Sequence, residues 1–113
     1  MNVGDICWGD LPTVNGHEQS GRRPVAVLQN DTYAGILPTV LIVPLTSSLR
    51  ASRYPGTVFV PLTAANGLTA DSILLAFQIR ALDRIRFGAK IGVLEAAILT
   101  QLYQTLDQLT GHP

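Results

Sequence analysis

The sequence predicts one small, mainly β domain with a helix at its C-terminal end. Its 113 residues are enough for a single domain spanning residues 1–113. An apolar content of 47% with only 14% charged residues supports a core and argues against disorder. Five short apolar segments between turn-forming residues precede one segment of helical periodicity. One helix against five or six short strands indicates a strongly bent sheet or small barrel that the helix closes.

Each predicted strand is a run of apolar and β-branched residues between turn formers. The five runs cover residues 5–10, 24–29, 39–45, 57–62 and 72–79. The first alternates around Ile6 and Trp8, and the second contains an uninterrupted apolar run. The third and fourth carry Pro44 and Pro61 near their ends, and a residue without an N–H indicates an edge or a bulge. Residues 84–87 are expected to form a short sixth strand or a turn.

The connections between these strands are polar. The loop over residues 11–21 is longer than a usual hairpin connection. This length indicates either a functional loop or extra residues without a function. Residues 30–38 and 46–56 form two further predicted loops. Asn66-Gly67 is the strongest tight-turn signal in the chain.

The C-terminal helix is predicted over residues 94–109. Apolar residues recur there at spacings of three and four and form one stripe, made of Ile98, Leu99, Leu102, Tyr103, Leu106 and Leu109. Gly111 follows as a natural terminator, whereas no Ser, Thr or Asp stands at the start as a cap.

The composition narrows the classes of function. A net charge of zero excludes bulk attraction to nucleic acid, so that any RNA binding needs a local patch. Seven of the eight basic residues are Arg, which is suited to directed hydrogen bonding with phosphate. The single Cys7 cannot form an internal disulfide and is expected to be a buried apolar residue. Because the chain has no signal-peptide pattern and no long apolar run, we expect a soluble, cytoplasmic protein.

Several kinds of active site are disfavoured by the sequence. His17, His112 and Cys7 are scattered without ligand spacing, so that no metal and no cofactor are expected. His17 is the only serious candidate for a base beside a nucleophile, and no serine stands in a glycine elbow. No glycine-rich phosphate loop opens a helix.

Arg23 and Thr46 remain as candidates, at the start of the second predicted strand and just after the third. If these strands are neighbours, both side chains can face one pocket, where Arg stabilises a developing phosphorane and the hydroxyl donates a second hydrogen bond. RNA supplies its own nucleophile, the 2′-hydroxyl, so that cleavage requires neither a metal nor a protein nucleophile. The alternative is structural: Arg23 pairs with Asp10 or Asp31, and Thr46 only caps the loop that follows.

A set of motifs over nearly the whole chain resembles the MazF/PemK family of toxin endoribonucleases. The motifs are GDICW at residues 4–8, GHEQSGRRP at 16–24, VLQND at 27–31, VPLTS at 43–47, GL at 67–68, DS at 71–72, QIRALD at 78–83 with Arg86, and IG at 91–92. They stand in the family's order and at its spacing.

The resemblance implies an SH3-like barrel of five to seven strands, closed by the C-terminal helix and assembled as a homodimer. It implies metal-independent, sequence-specific cleavage of single-stranded RNA, mainly mRNA, which leaves 2′,3′-cyclic phosphate and 5′-hydroxyl ends. It also implies a MazE-type antitoxin protein as partner, whose acidic tail lies along the groove that RNA would use.

The resemblance also implies roles for particular residues. The family's catalytic Arg precedes Pro and falls on Arg23, and its catalytic Thr falls on Thr46 rather than on Thr63 in the repeated VPLT sequence. The implied RNA-binding residues are His17, Glu18, Gln19, Arg22, Ser47, Ser48, Phe77, Gln78 and Arg80. Phe77 departs from the acidic residue frequent in relatives, so that it either stacks on a base or belongs to the core.

Two other functions stay open at this stage. A toxin similar to CcdB would use the same barrel to bind DNA gyrase without catalysis, but it acts through an aromatic C-terminal end, which the final residues 109–113 lack. A degenerate family member would bind RNA or an antitoxin without cutting, because catalytic alignment is a matter of about an ångström.

Overall fold

The computed structural model describes residues 1–12 and 20–112. Its strands are β1 (Asp5–Leu11), β2 (Gly21–Val27), β3 (Thr39–Thr46), β4 (Thr57–Val60), β5 (Ser72–Leu75), β6 (Arg80–Asp83) and β7 (Phe87–Val93). Its α-helices are α1 (Asp31–Ala34) and α2 (Ala96–Thr110), and short 3-10 helices cover Leu49–Arg53, Ala76–Gln78 and Arg84–Arg86.

The seven strands form one antiparallel sheet in the order β4-β5-β3-β2-β1-β7. β3 is central, because β2 pairs with one of its edges while β5 and β6 share the other. The order ends at β4 and β7, which do not pair within the described ranges, so that hydrogen bonds do not close the sheet into a ring. The prediction of a small, mainly β fold with a C-terminal helix is confirmed.

The predicted fifth strand is shorter than its apolar run. β5 stops at Leu75, and a 3-10 turn over Ala76–Gln78 separates it from β6. The N–H of Phe77 donates to the carbonyl of Gly56 (3.2 Å) instead of continuing a ladder. Of the two alternatives predicted for residues 84–87, the turn is correct for Arg84–Arg86, where the Asp83 carboxylate caps a 3-10 helix by accepting from the Ile85 N–H (3.1 Å), and Phe87 begins β7.

Two predicted loops contain helices, and one strand starts earlier than expected. Asn30 caps α1 by accepting from the Thr32 N–H (2.8 Å), and the loop after β3 contains the 3-10 helix Leu49–Arg53. β2 begins at Gly21, because β1 continues to Leu11 and pairs with it. The two arginines after Gly21 therefore lie within a strand rather than in front of one.

The strands β1, β2 and β3 are buried on both faces by two hydrophobic clusters, which take alternate residues of these strands. Ile6 of β1 and Ala26 of β2 belong to the cluster on which α2 packs. Their neighbours Cys7 and Val25 belong to the second cluster. Because both faces are buried, a one-residue slip would place every side chain on the wrong face, and the register is strongly specified.

α2 packs on the first cluster mainly through the fully buried Leu102. It ends at Gly111 in the left-handed conformation (φ 73°), as the sequence predicts. Tyr103 and Leu109, which the predicted stripe includes, are largely exposed, since α2 covers the sheet with a narrower face. Among the described residues, no helix is long and apolar enough to cross a membrane.

Candidate active site

Arg23 and Thr46 lie at the ends of two adjacent antiparallel strands. β2 and β3 pair with Val25 opposite Pro44. When this register is continued by two residues, Arg23 lies across from Thr46. On the other edge of β2, Arg23 pairs with Gly9 of β1. The condition for a shared pocket, that the two strands are neighbours, is therefore met.

Both residues line one surface cleft of about 280 Å³, which we name the strand-end cleft. Its polar and charged lining comes from three strands and one turn, and it consists of Arg22, Arg23, Thr46, Ser47, Thr69 and Ser72. Trp8, Pro24, Leu45, Leu68 and Ile91 supply the apolar part. The structure thus brings together four of the predicted site residues: Arg22, Arg23, Thr46 and Ser47.

The Arg23 guanidinium is half-buried. Its Nε donates to the carbonyl of Ser20 (3.1 Å), a backbone contact within the described residues that restrains the side chain. Burial lowers the pKa of Arg23 below the ordinary value, although a guanidinium stays charged at neutral pH. Partial burial also strengthens its interaction with a nearby anion, because less water screens the charge.

Arg23 forms no ion pair with any carboxylate in the described part of the chain. The Asp10 carboxylate lies 3.9 Å from Arg86 instead. The structural alternative, in which Arg23 pairs with Asp10 or Asp31, is therefore wrong.

Thr46 is buried at the end of β3, and its hydroxyl is oriented by the following loop. The Oγ1 atom accepts from the Ser48 N–H (3.2 Å). The loop-capping alternative is correct about this bond. A hydroxyl that accepts one bond still has its own hydrogen to donate, so that capping and donation to a ligand are compatible.

Arg22 contributes a second guanidinium at the cleft. Its side chain is exposed, and its Cζ lies 4.6 Å from the ring centroid of Trp8, in a cation–π contact. The contact restrains a long side chain that would otherwise be mobile. Trp8 was predicted only as a strand residue, and its place at the cleft follows from the pairing of Trp8 with Pro24.

The wall of the cleft at residues 67–70 is fixed by the turn that contains Asn66. The Asn66 side chain is fully buried, and its Oδ1 accepts from the N–H groups of Thr63 (3.0 Å) and Leu68 (3.1 Å). Its Nδ2 donates to the carbonyl of Pro61 (2.9 Å). Gly67 has φ 67°, and a Cβ there would overlap the carbonyl of Ile91. The predicted tight turn is therefore also the support of a cleft wall.

A second cleft of about 220 Å³, here called the loop cleft, lies on the other side of Thr46. It is lined by Thr46, Ser48, Arg50, Ala51, Arg53 and Tyr54. The ring of Phe77 lies 5.9 Å from that of Tyr54, tilted by 56°, and is 40% exposed. The predicted site residues Ser48 and Phe77 are thus beside this cleft. The predicted site residues do not include Arg50, Arg53 or Tyr54: the family resemblance marks residues 46–54 only as a loop that varies with target sequence, without a role for any of these three side chains.

The other predicted RNA-binding residues either lie away from the two clefts or fall outside the described residues. Gln78 ends the 3-10 turn after β5, Arg80 opens β6 opposite Ile42, and neither lines the two clefts. His17, Glu18 and Gln19 lie outside the described residues. Within residues 1–12 and 20–112, no group of three His, Cys, Asp or Glu side chains could hold a metal ion.

The chain and its fold correspond to a known family. A family model described as PemK-like, MazF-like toxin of type II toxin-antitoxin system matches residues 2–110. The chain belongs to this toxin family. The resemblance inferred from the sequence motifs is confirmed.

Individual relatives agree with the family assignment. The chain is 34% identical to the endoribonuclease MazF of Staphylococcus saprophyticus over 111 residues, which cover 98% of this chain and 92% of the relative. It is 33% identical to the endoribonuclease EndoA of Bacillus subtilis over 104 residues, covering 92% and 89% of the two chains. The prediction of a toxin endoribonuclease is confirmed by these relatives.

Solved structures support the fold. A crystal structure of MazF from Deinococcus radiodurans superposes with a TM-score of 0.83 at 31% identity, covering 98% of this chain and 96% of that one. A MazE-MazF structure from the same organism gives a TM-score of 0.76 at 30% identity, covering 100% and 97%. These structures share the MazF-like architecture that the motifs implied.

Proposed function

We propose that this MazF-family toxin cleaves single-stranded mRNA at a short sequence without a metal ion. The 2′-oxygen attacks the adjacent phosphorus, the new O2′–P bond forms, and the P–O5′ bond breaks. The products are a 2′,3′-cyclic phosphate and a 5′-hydroxyl: the attacking 2′-hydroxyl loses one proton, and the leaving 5′-oxygen takes up one. One observation carries the proposal: Arg23 and Thr46 meet across two strand ends at one cleft.

Arg23 acts by charge stabilisation. Attack on the phosphate places additional negative charge on the non-bridging oxygens, and a half-buried guanidinium with no described carboxylate beside it attracts that charge strongly. Its position is set before the reaction, because its Nε is already bonded to Ser20 and its strand is part of the core sheet. A group held in advance needs no reorganisation in the transition state.

Thr46 donates its hydroxyl hydrogen to the same phosphate. The Ser48 N–H already occupies one acceptor position of Oγ1 and so restricts the rotation of the hydroxyl. Two donors from neighbouring strands then hold the phosphate in one orientation, which favours alignment of the 2′-oxygen, phosphorus and leaving oxygen.

Substrate binding extends beyond these two residues. Arg22 and Ser47 line the strand-end cleft, while Ser48 and Phe77 adjoin the loop cleft. We include His17, Glu18, Gln19, Gln78 and Arg80 as RNA contacts on the strength of the family motifs. Unpaired bases suit such clefts, because their edges and faces are accessible in single strands.

The same surface fits an inhibitory partner. MazE-MazF structures are known from Deinococcus radiodurans. We propose that a MazE-type antitoxin binds this chain as well, with acidic residues over the arginines of the clefts, so that it competes with RNA.

We also propose that the toxin is a homodimer, since so small a domain gains stability by burying another face. Its molecular mass in solution tests the dimer.

The decisive experiment incubates purified protein with a long single-stranded RNA in excess EDTA. Primer extension maps the ends, and phosphorylation by polynucleotide kinase without prior phosphatase identifies 5′-hydroxyls. We expect discrete cuts that share a short sequence and are absent with Arg23→Ala. Arg86→Ala is the matched control, because it removes an equal charge from another half-buried arginine, which lies outside both clefts.

Three results would contradict the proposal. Cuts that disappear in EDTA would indicate metal-dependent chemistry, and equal activity of Arg23→Ala would remove Arg23 from the reaction. A folded protein that leaves RNAs of varied sequence intact would favour a toxin that acts by binding alone.

A further inference from the structure

A chain of hydrogen bonds runs from the start of α2 to the wall of the strand-end cleft. The Thr63 hydroxyl donates to the Glu95 carboxylate over 2.6 Å, and its oxygen accepts from the Asn66 N–H (3.1 Å). The Asn66 side-chain oxygen in turn accepts from the N–H of Leu68 (3.1 Å), a residue of the cleft wall. These bonds connect a carboxylate at the start of α2 with the backbone that lines the cleft.

The bond between Thr63 and Glu95 fixes the orientation of the Thr63 hydroxyl. A hydroxyl has a single hydrogen, and donation to a carboxylate gives the shorter and stronger kind of hydrogen bond. Because the hydrogen of Thr63 is directed at Glu95, its lone pairs are directed elsewhere, and one of them accepts from Asn66. Loss of the carboxylate would free this hydroxyl to rotate, so that the Asn66 N–H would lose a fixed acceptor.

The Glu95 side chain bonds to this distant threonine instead of capping its own helix. Glu95 is the N-cap residue of α2, but within the described residues its carboxylate forms no capping bond to the helix. It reaches Thr63, which lies 32 positions earlier in the chain. A polar side chain at an N-cap usually stabilises its own helix, so that the use of Glu95 elsewhere indicates a role beyond the stability of α2.

The exposed part of the cleft wall takes its position from the buried part. Asn66 and Leu68 are buried, whereas the next two residues, Thr69 and Ala70, are exposed and line the cleft. The bond from the Leu68 N–H to the Asn66 side chain holds the backbone immediately before the exposed residues. The orientation of Asn66 therefore determines where the wall stands in the cleft.

We propose that Asn66, oriented by Thr63 and Glu95, is a positioning residue for RNA binding at the strand-end cleft. It keeps the wall at the distance from Arg23 and Thr46 at which the nucleotide beside the scissile phosphate fits. Displacement of such a wall by about an ångström is enough to weaken a reaction by about 100-fold. The assignment rests on the proposed function, because it concerns the substrate of Arg23 and Thr46.

The test compares substitutions along the hydrogen-bond chain with matched controls. Asn66→Ala is compared with Asn30→Ala, because the Asn30 side chain also accepts from an N–H two residues later, but at α1 and outside both clefts. Glu95→Ala is compared with Asp107→Ala, which removes an exposed carboxylate further along α2. Glu95→Gln keeps an acceptor for Thr63 and serves as the rescue variant.

The kinetic constants are measured on an RNA that contains the mapped cleavage sequence, at a temperature at which urea unfolding shows each variant to be folded. We expect Asn66→Ala to lower kcat/KM by about tenfold to a hundredfold through KM. Its kcat should change little, because Arg23 and Thr46 lie on β2 and β3. Glu95→Ala should raise KM by roughly threefold to tenfold, and Glu95→Gln should restore most of this loss. Both controls should match the wild type.

Two further readouts separate positioning from a general loss of stability. If Glu95 acts through Asn66, Glu95→Ala should raise KM in the wild type but not in the Asn66→Ala background. Asn66→Ala should also discriminate less between the mapped sequence and an RNA with one changed base beside the cut. A merely destabilised but folded protein would keep the discrimination of the wild type.

The outcomes distinguish this inference from the proposed function. A wild type that cuts, with equal KM for Asn66→Ala and Asn30→Ala, overturns the positioning role and leaves the cleavage proposal intact. If Asn66→Ala does not fold, Glu95→Ala decides, and wild-type values of KM and base discrimination in that variant overturn the role. Additive effects of the two substitutions on KM would contradict the action of Glu95 through Asn66.

A wild type that cuts no RNA would contradict the cleavage proposal but still allow a test of Asn66. The Kd for the same single-stranded RNA is then measured with each variant. A higher Kd for Asn66→Ala and Glu95→Ala than for their controls supports the positioning role. An equal Kd, or a wild type that binds no RNA, overturns it.

Discussion

The hydroxyl of Thr63 donates to the Glu95 carboxylate over 2.6 Å, and this bond distinguishes the two copies of the sequence Val-Pro-Leu-Thr. Thr63 thereby ties the turn after β4 to the residue that precedes α2. Thr46, its counterpart, has no carboxylate partner among the described residues and lines both clefts. The two Val-Pro-Leu-Thr segments thus place their threonines in different surroundings, because the neighbouring strands differ.

We predict that Thr46→Val lowers kcat by about 100- to 1,000-fold, the usual effect of removing one preorganised donor. The substitution keeps the β-branched shape in the strand. Thr39→Val is the matched control at the opposite end of β3, and it should leave kcat unchanged. Thr63→Val should lower the urea midpoint through loss of the Glu95 bond and leave kcat nearly intact. Equal kcat for Thr46→Val and Thr39→Val would exclude Thr46 from the reaction.

Substitutions of the two neighbouring arginines should affect different kinetic constants, kcat for Arg23 and KM for Arg22. Arg23→Ala removes charge from the reacting phosphate, and we expect kcat to fall by about 100-fold or more. Arg22 is exposed on Trp8, so that Arg22→Gln should raise KM by less than about tenfold with kcat nearly unchanged. Arg86→Gln serves as the charge control. A loss of kcat in Arg22→Gln equal to that in Arg23→Ala would reverse the assignment.

Two glycines with positive φ offer a matched pair for stability. Gly67 and Gly21 have φ of 67° and 79°. A Cβ at Gly67 would meet the Ile91 carbonyl, whereas a Cβ at Gly21 would meet no atom of the described residues within 4 Å. Gly21→Ala should therefore cost about 1 kcal/mol, the conformational penalty alone. Gly67→Ala should cost more than about 3 kcal/mol, because backbone must move. Urea unfolding measures both, and equal losses would contradict the close approach.

The Cys7 thiol should be unreactive in the folded protein. Burial, followed by the nearby Asp5 carboxylate, raises the pKa of Cys7 above its ordinary value of 9.0. The neutral thiol is thus favoured in the native state, and iodoacetamide should label it at neutral pH only after denaturation. Labelling of the native protein as fast as of the unfolded chain would contradict this.

The same shift of the Cys7 pKa has a consequence for stability. Because the folded pKa is the higher one, the contribution to stability is fully present below the unfolded pKa and is lost as pH rises through the folded pKa. Wild type should therefore lose more stability than Cys7→Ala across that alkaline range. Parallel losses in urea unfolding would show that Cys7 does not contribute.

The sequence was sufficient for the parts of the fold that depend on local patterns. Short apolar runs located the strands, Gly111 located the end of α2, and Asn66-Gly67 located the turn behind the cleft. The neighbouring positions of Arg23 and Thr46 could be anticipated, because each polar residue adjoins a buried run.

Other features depend on contacts between distant segments, which periodicity does not contain. The run after Ser72 breaks at Ala76 because the N–H of Phe77 donates to Gly56, a residue on another segment. α2 starts at Ala96 rather than at residue 94, since Glu95 before it is extended (ψ 149°), and the Leu94 N–H donates to the distant Gly4 carbonyl (2.8 Å). The contact between Tyr54 and Phe77 beside the loop cleft could not be predicted for the same reason, since the two residues meet only in the folded chain.

The buried faces of β2 and β3 also determine where the gene can tolerate a change of length. One added codon within Gly21–Val27 or Thr39–Thr46 would shift Arg23 relative to Thr46. It would also move the following side chains of the strand to the opposite face of the sheet. The connection between the strands, which contains the exposed residues Ile36 and Leu37, carries no such constraint. Homologous genes should therefore differ in length in this connection and hardly at all in the two strands.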